Sequence, residues 1–593
     1  MTRRTRIRAL LLGALVCVMS PLTAVAQCGE WTWANPLPQG HVLHGMVHGG
    51  GRYVAVGEAG AIVSSPDGIA WEVRSLDIDQ TLRRVAWTGQ RYVAVGDEGV
   101  IFASPDGAEW APVPSPVTDN LYGIAWTGAR LVAVGGHGAV LTSSDGLSWV
   151  QQTPPGSGGM SAVAWNGFEL VAVSAGGGSL VSADGSSWEY NPTGAAGLYD
   201  VTWTGSRWVA VGLLGSVVIS DNGRFWEAVL SQTASALSGV TAWHGLVVAV
   251  SPGSIQVSTD NGQSWVTAAE DEVTSDGLLA VAAGPDTLVA AGLIGHLVTS
   301  QDGFQWTSRR HGNSLWIHDL VQAGGFLIAV GGDSYFSPHP SGILRSLDGT
   351  SWDVVSSPVT RPLLGVTAND ALVVAVGDMA TLITSRDGLT WEERDPDLWQ
   401  GLVDVVWTGT QFVAVGGGGA ITTSSDGEHW RRVPPMINRN LEAVGWNGRT
   451  LVAVGEGGAV ITSLDGRSWE RQSSGSPANL YGLVWTGSRF VAVGGGGTVL
   501  SSVDGIGWAE HESGTTEMLR GVGLLGTSVV AVGDRRGMVA SQDGQTWSAE
   551  RAPTVRNMSG VYDTGGTQLL TGWYGVIFHR ECPINLGMEL ARF

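Results

Sequence analysis

Residues 501–508 read SSVDGIGW, and near copies of these eight letters recur along the chain. SSPDGIAW ends at Trp71, TSSDGLSW at Trp149, TSLDGRSW at Trp469 and ASQDGQTW at Trp547. One copy would suffice for chemistry; many copies point to construction. Aligned on the closing indole, the series is Trp71, Trp110, Trp149, Trp188, Trp226, Trp265, Trp306, Trp352, Trp391, Trp430, Trp469, Trp508 and Trp547. The spacing is 39 residues almost throughout, with steps of 38, 41 and 46 ending at Trp226, Trp306 and Trp352. A period this constant is the signature of a repeat architecture.

Residues 480–508 show what one repeat contains. LYGLVW, RFVAV and TVLSS are β-branched and aromatic runs separated by Gly-rich turns, and a fourth run starts near Trp508. Such runs read as strands. The VAV run is apolar on both faces, so both sides should be covered. Four strands of about 5–6 residues with short turns fill about 40 residues. Glycine, 88 of 593 residues, punctuates the turns. Four-stranded units of this length arranged around an axis make β-propeller blades.

The Asp residues of these turns are Asp67, Asp106, Asp145, Asp184, Asp260, Asp302, Asp348, Asp387, Asp426, Asp465, Asp504 and Asp543. Each carboxylate can accept backbone N–H groups in a tight turn. The following Gly takes a positive φ, and the Trp plugs the turn from below. These residues are read as structural. The units resemble the Asp-box (BNR) repeats of sialidases, sortilin-type receptors, xyloglucanases and photosystem II assembly-factor-like propellers. That family's pattern is Ser-x-Asp-x-Gly-x-Thr/Ser-Trp. Ser258 to Trp265 matches it fully, whereas most copies place Asp directly before Gly. The resemblance implies an all-β propeller and, by its assembly-factor branch, a scaffold role.

Thirteen units are complete. Residues 558–581 resemble the first three strands of a fourteenth, and Glu30 to Trp33 resembles its fourth. Cys28 and Cys582 fall where the missing turn would be, so a disulfide between them is expected. Two seven-bladed rings are the natural division of fourteen blades, since single rings usually hold 4–8. The expected boundaries are residues 27–268 plus 553–593 for the first ring and 269–552 for the second. A single larger ring or another division stays open.

Residues 1–26 read as a secretory signal peptide. Arg3, Arg4, Arg6 and Arg8 precede an apolar core, and Ala24-Val25-Ala26 is a cleavage site. A periplasmic or extracellular location follows, with no membrane span. The net charge of −21 becomes about −25 without the four leader arginines. That excess repels phosphate backbones and argues against nucleic acid. The chain contains no Lys, which removes Schiff-base and phosphate-loop lysine chemistry. No nucleophile elbow, zinc motif or phosphate loop occurs, and the Arg-Ile-Pro arginine motif of sialidases is absent.

The most divergent unit spans 307–352. It supplies Arg309, Arg310, His311 and Trp316, then Asp333, Tyr335, Phe336 and His339 in an insertion. Such side chains on loops suit sugar or peptide binding, against the alternative of loops that merely pack at a ring junction. His41, His44 and His48 occupy ordinary strand positions, and no metal or cofactor is expected. The carboxylate pairs Asp77/Asp79 and Asp395/Asp397 have the form that glycoside hydrolysis uses, but chance pairs are expected among 53 acids. The leading expectation is an exported, non-enzymatic scaffold binding a protein or surface glycan. The alternatives are a glycoside hydrolase acting between two propellers and a non-catalytic carbohydrate-binding protein.

Overall fold

A computed structural model describes residues 28–29, 31–34, 41–76, 78–156, 158–195, 197–270, 277–309, 315–332, 341–573 and 575–582. The expected signal peptide, 1–26, lies outside these. The described chain forms fourteen antiparallel sheets of four strands, arranged as two seven-bladed β-propellers. In one blade the strands are Leu480–Trp485, Phe490–Gly494, Val499–Ser502 and Ala509–His511. The second strand is buried from end to end, because neighbouring blades cover both of its faces. No helix among the described residues is long and apolar enough to cross a membrane.

The recurring octet is the turn between third and fourth strands. Ser502 Oγ accepts the Gly505 N–H at 2.8 Å and donates to Asp504 Oδ1 at 3.1 Å. The same carboxylate oxygen accepts the N–H of Ile506 at 2.9 Å and of Gly507 at 3.1 Å. Trp508 Nε1 donates back to the Gly505 carbonyl at 2.9 Å. Asn222 replaces Asp in one unit, and its amide oxygen accepts the same two N–H groups at 3.0 Å. A neutral acceptor therefore serves, and the turn needs geometry rather than charge. Asp260 has one more residue before its Gly; its carboxylate accepts from Ser264 N–H at 2.8 Å and Ser264 Oγ at 2.6 Å.

The turn also joins blades. Gly505 has φ +83°, and a Cβ there would lie 2.5 Å from Val452 Cγ2 on the preceding blade. The same contact traces both rings to closure. Gly68 of the first blade approaches Val289 of the seventh, and Gly349 of the eighth approaches Leu569 of the fourteenth. Buried cores agree: Leu43, Tyr53 and Val63 pack with Ala282, Val289 and Leu297. Ile317, Ala329 and Leu344 pack with Leu569 and Ile577.

This corrects the expected boundaries. The first ring is contiguous, with blades 1–7 running from Leu43 to Ser308. The second ring holds blades 8–14, from Ile317 to Glu581, together with the N-terminal strand Thr32–Trp33. The blade built from both termini thus lies in the second ring, not the first, and the first ring is the inserted one. The unit closed by Trp306, expected in the second ring, completes the first. In the seam blade Thr32 pairs with His579 and Trp33 with Phe578. Cys28 and Cys582 form the expected disulfide, with Cα atoms 4.3 Å apart.

Two outcomes follow from this architecture. Gly505→Val should cost roughly 2–4 kcal/mol, combining left-handed strain with overpacking on Val452. Gly507→Ala, with open space around its site, should be near neutral; urea titration of both variants checks this. Cys28→Ser should destabilise the second ring by roughly 2–5 kcal/mol. Hydrogen exchange in peptides 315–331 and 558–572 should then rise while peptide 43–65 is unchanged.

Candidate functional site: the loop face of the second ring

Each blade presents two kinds of loop at one end: the turn after its second strand and the segment before its first. Backbone bonds tie them together, as in Gly417 N–H to Gly401 O at 2.9 Å and Gly495 N–H to Asn479 O at 2.9 Å. The two rings meet through these same ends. Arg536 ion-pairs with Asp79 at 3.0 Å and donates to the Ile78 carbonyl at 3.2 Å. Arg556 pairs with Glu58 at 3.0 Å. The loop faces of the two rings therefore converge at a charged hinge between blades 1–2 and 13–14.

At the mouth of the second ring, Trp316 and Trp573 stack with centroids 4.3 Å apart and planes 5° from parallel. The closing seam positions them. Gly575 N–H bonds Leu315 O at 2.8 Å, and Trp573 N–H bonds Asn557 O at 3.0 Å. The guanidinium of Arg520 lies 4.7 Å above the Trp573 ring. It is fixed by Asp534 through two parallel bonds of 2.5 and 3.0 Å. The indole pair is thus held before any ligand arrives.

The rim continues over blades 9–11. Trp399 is 78% exposed, Met379 62% and Met436 50%. Beside them the turn Gly417–Gly419 has no side chains at all. Amides brace the neighbouring loops: Asn440 Oδ1 accepts Gly418 N–H at 3.0 Å, and Asn479 Oδ1 accepts Gly457 N–H at 2.7 Å. Glu442, half-buried on strand Leu441–Trp446, has its carboxyl pushed up by burial and then by nearby Glu456.

Of the residues expected at the site, Trp316 is there. Arg309 is not: its Nε donates to Thr299 Oγ1 at 2.7 Å on blade 7 of the first ring. Arg310, His311, Asp333, Tyr335, Phe336 and His339 lie outside the described residues. Asp79 serves the hinge, and its partner Asp77 lies outside the described residues. Asp395 and Asp397 build a turn, with Asp397 N–H on Asp395 Oδ1 at 2.9 Å. His41 lies near Arg556 and Arg536, and burial beside these charges pushes it down to about 3. His44 is pushed down to about 4 by burial beside Arg83 and Arg84. His48 packs on Tyr53 with centroids 4.6 Å apart. Trp573, Arg520, Trp399 and Glu442 were not singled out from sequence. Their signal was positional: Arg520 and Glu442 stand in the column held by Tyr122, Tyr199 and Tyr481 in other blades.

Neither a protein-family model nor a curated protein sequence matches the chain. Solved structures do match its fold. PorZ, an essential bacterial surface component of the type-IX secretion system of Porphyromonas gingivalis, superposes with a TM-score of 0.66 at 13% identity. That match covers 93% of this chain and 87% of PorZ. An ancestral GH74 enzyme gives 0.66 at 13% identity, covering 94% and 99% of the two chains. The GH74 xyloglucanase from Xanthomonas campestris gives 0.60 at 16% identity, covering 93% and 100%. At these identities the likeness is one of fold: this chain shares the two-propeller architecture of surface components and glycoside hydrolases alike.

Proposed function

We propose that this chain is an exported, non-enzymatic scaffold with Asp-box repeats. It binds a protein or surface-glycan partner on the loop face of its second ring. The observation that carries the reading is the preassembled Trp316–Trp573 stack. Its neighbouring arginine is already neutralised by Asp534, which leaves a rigid aromatic surface rather than a reactive group. Stacked aromatics with low residual entropy are efficient recognition elements. Gly417 and Gly418 add open backbone to the same rim as Trp399, where a flat partner can approach. The Asp-box reading is supported by the shared bonding of the turns and by the full pattern at Ser258–Trp265. Export is supported by the disulfide, which oxidising compartments permit.

The test is affinity capture from the secreting cell in parallel with a glycan array. A partner retained by wild type should be weakened about tenfold or more by Trp573→Ala, in line with loss of a central aromatic anchor. Unweakened binding by both Trp573→Ala and Trp399→Ala would remove the site.

A second reading, hydrolysis of a polysaccharide between the two loop faces, is favoured by Glu442. A carboxyl whose proton affinity is raised by burial is what a general acid needs. Release of reducing ends from a polysaccharide panel, abolished by Glu442→Gln, would establish it. The scaffold reading expects no release from either protein.

A further inference from the structure

Where one blade departs from the column shared by the others, the departure needs a partner. Inside the rings the fold supplies it. Asp200, Asp319 and Asp404 stand where most first strands carry Gly or Ala. Each accepts an N–H of the next blade: Val240 at 3.0 Å, Val366 at 2.8 Å and Val444 at 2.7 Å. Tyr562 of blade 14 also donates to Asp319 at 3.0 Å, so this acid joins three blades. On the surface one set of departures has no such answer. It lies between blades 4 and 5 of the first ring, at the end opposite the loop face. Its two parts are the turn between Ala162–Trp165 and Leu170–Val173 and the octet turn between Val217–Ser220 and Glu227–Val229.

In several blades the first of these turns reads Thr-Gly-x-Arg, with a small or polar residue at x, as at Gln90, Ala129, Ser206 and Ser488. The last residue reaches the octet turn of the next blade. Arg130 donates to the Asp184 carbonyl at 3.0 Å, and Gln411, in the same place, to the Asp465 carbonyl at 2.8 Å. Blade 4 instead reads Asn166-Gly167-Phe168-Glu169. The octet of blade 5 carries Arg224 and Phe225, where serine often precedes the Trp, as at Ser148, Ser187 and Ser468. The clasp between the blades has therefore changed sign. Glu169 accepts Arg224 through two bonds of 2.9 and 3.1 Å, and Glu189 accepts Arg224 Nε at 2.9 Å.

The clasp leaves two aromatic rings in water. Phe168 is 82% exposed and Phe225 81%, so neither contributes to blade packing. Both stand on fixed backbone. Asn166 Oδ1 accepts the N–H of Phe168 at 2.8 Å and of Glu169 at 2.7 Å. Asn222 Oδ1 accepts those of Arg224 and Phe225, both at 3.0 Å. Arg224 then ties one turn to the other. Two carboxylates share its single guanidinium, which leaves one negative charge in the clasp. Glu227, exposed just beyond Trp226, adds another, and the nearby Arg207 is committed to Asp221 at 2.8 Å.

We propose that Phe168 and Phe225 form a docking surface for a basic protein segment. Apolar side chains of that segment cover the two rings, and an arginine or lysine meets the spare charge of the Glu169, Arg224 and Glu189 clasp. Charge complementarity selects this occupant. A Phe ring offers its face to a cation but has no donor or acceptor for a sugar hydroxyl. The N–H groups of Phe168, Glu169, Arg224 and Phe225 are already taken by Asn166 and Asn222. A second copy, meeting the patch with its own, would set the same negative cluster against itself. Anionic lipid is repelled by the same charge. The surface faces away from the hinge between the rings, so it is independent of what the loop face of the second ring binds.

Fluorescence anisotropy of an end-labelled eight-residue peptide of alternating arginine and leucine, titrated with the full chain at physiological salt, tests this. Wild type should bind that peptide and should not bind one of alternating glutamate and leucine. Phe168→Ser combined with Phe225→Ser should weaken binding about tenfold or more. Serine stands at both positions in other blades, so the fold is kept. Glu189→Gln leaves Arg224 on Glu169 and removes the spare charge, which should weaken binding about threefold. Ile506→Ser, at an exposed octet position of the second ring, should change nothing. Absence of binding, undiminished binding by the double variant, or an equal loss in Ile506→Ser would overturn the surface. Equal binding of the glutamate peptide would overturn the basic occupant. So would binding to neutral phosphatidylcholine vesicles, in place of the peptide, that depends on the two Phe residues.

Discussion

Everything in this molecule depends on a glycine with positive φ pressed against the side chain of the blade before it. Asp504, Ser502 and Trp508 hold the turn; Gly505 lets it reach Val452. The octet is thus more than a way of reversing the chain. It sets how deeply one blade seats on the next, and repeated around a ring it brings the last blade against the first. Asn222 shows that the carboxylate charge can be dispensed with. The small residue has no such substitute, because the space it leaves is already occupied by its neighbour.

Blades were legible in the sequence because each carries its own punctuation. The period, the buried second strand and the octet all belong to one blade, and thirteen blades of the structure repeat them. The Cys28–Cys582 bond was legible for the same reason: both residues sit where the one missing octet should be. The division into rings was a different problem. Which blade follows blade 7 is set by contacts such as Tyr53 Oη to Thr287 O at 2.6 Å, between residues far apart in the chain. Nothing within a repeat encodes that choice. Counting from the N-terminus placed the seam in the first ring. The chain instead crosses between Trp306 and Trp352, where the longest step lies, while the 41-residue step before it is spent inside the first ring.

The candidate site was half legible. Trp316 stood out through the divergence of its unit, but divergence alone could not separate it from Arg309, which belongs to the outer strand of another ring. Trp573 lay in a blade read for its strands, and its stacking partner is 257 positions earlier in the chain. Such pairs emerge only once the ring is closed. The informative feature was the column, not the motif. Where repeats agree, a residue supports the fold; where one column breaks agreement, as at Arg520, Glu442, Asp319 and Asp404, it serves something local to that blade.

The two rings solve closure by different means, and the difference carries consequences. The first ring closes on packing, with Tyr53 buried against the seventh blade and its hydroxyl pushed up to about 12, chiefly by burial. The second closes with a strand from the far terminus, a covalent bond, and an acid that joins three blades. Redundant closure is needed where a seam carries other burdens. Here the seam holds the stacked indoles at its mouth and the buried Asp319 carboxyl against Tyr562. A buried carboxylate without a cation is expensive in proportion to how dry its surroundings are. The ring that tolerates one must be tied more firmly elsewhere, and the disulfide stands on blade 14, which supplies the Tyr562 hydroxyl bonded to Asp319.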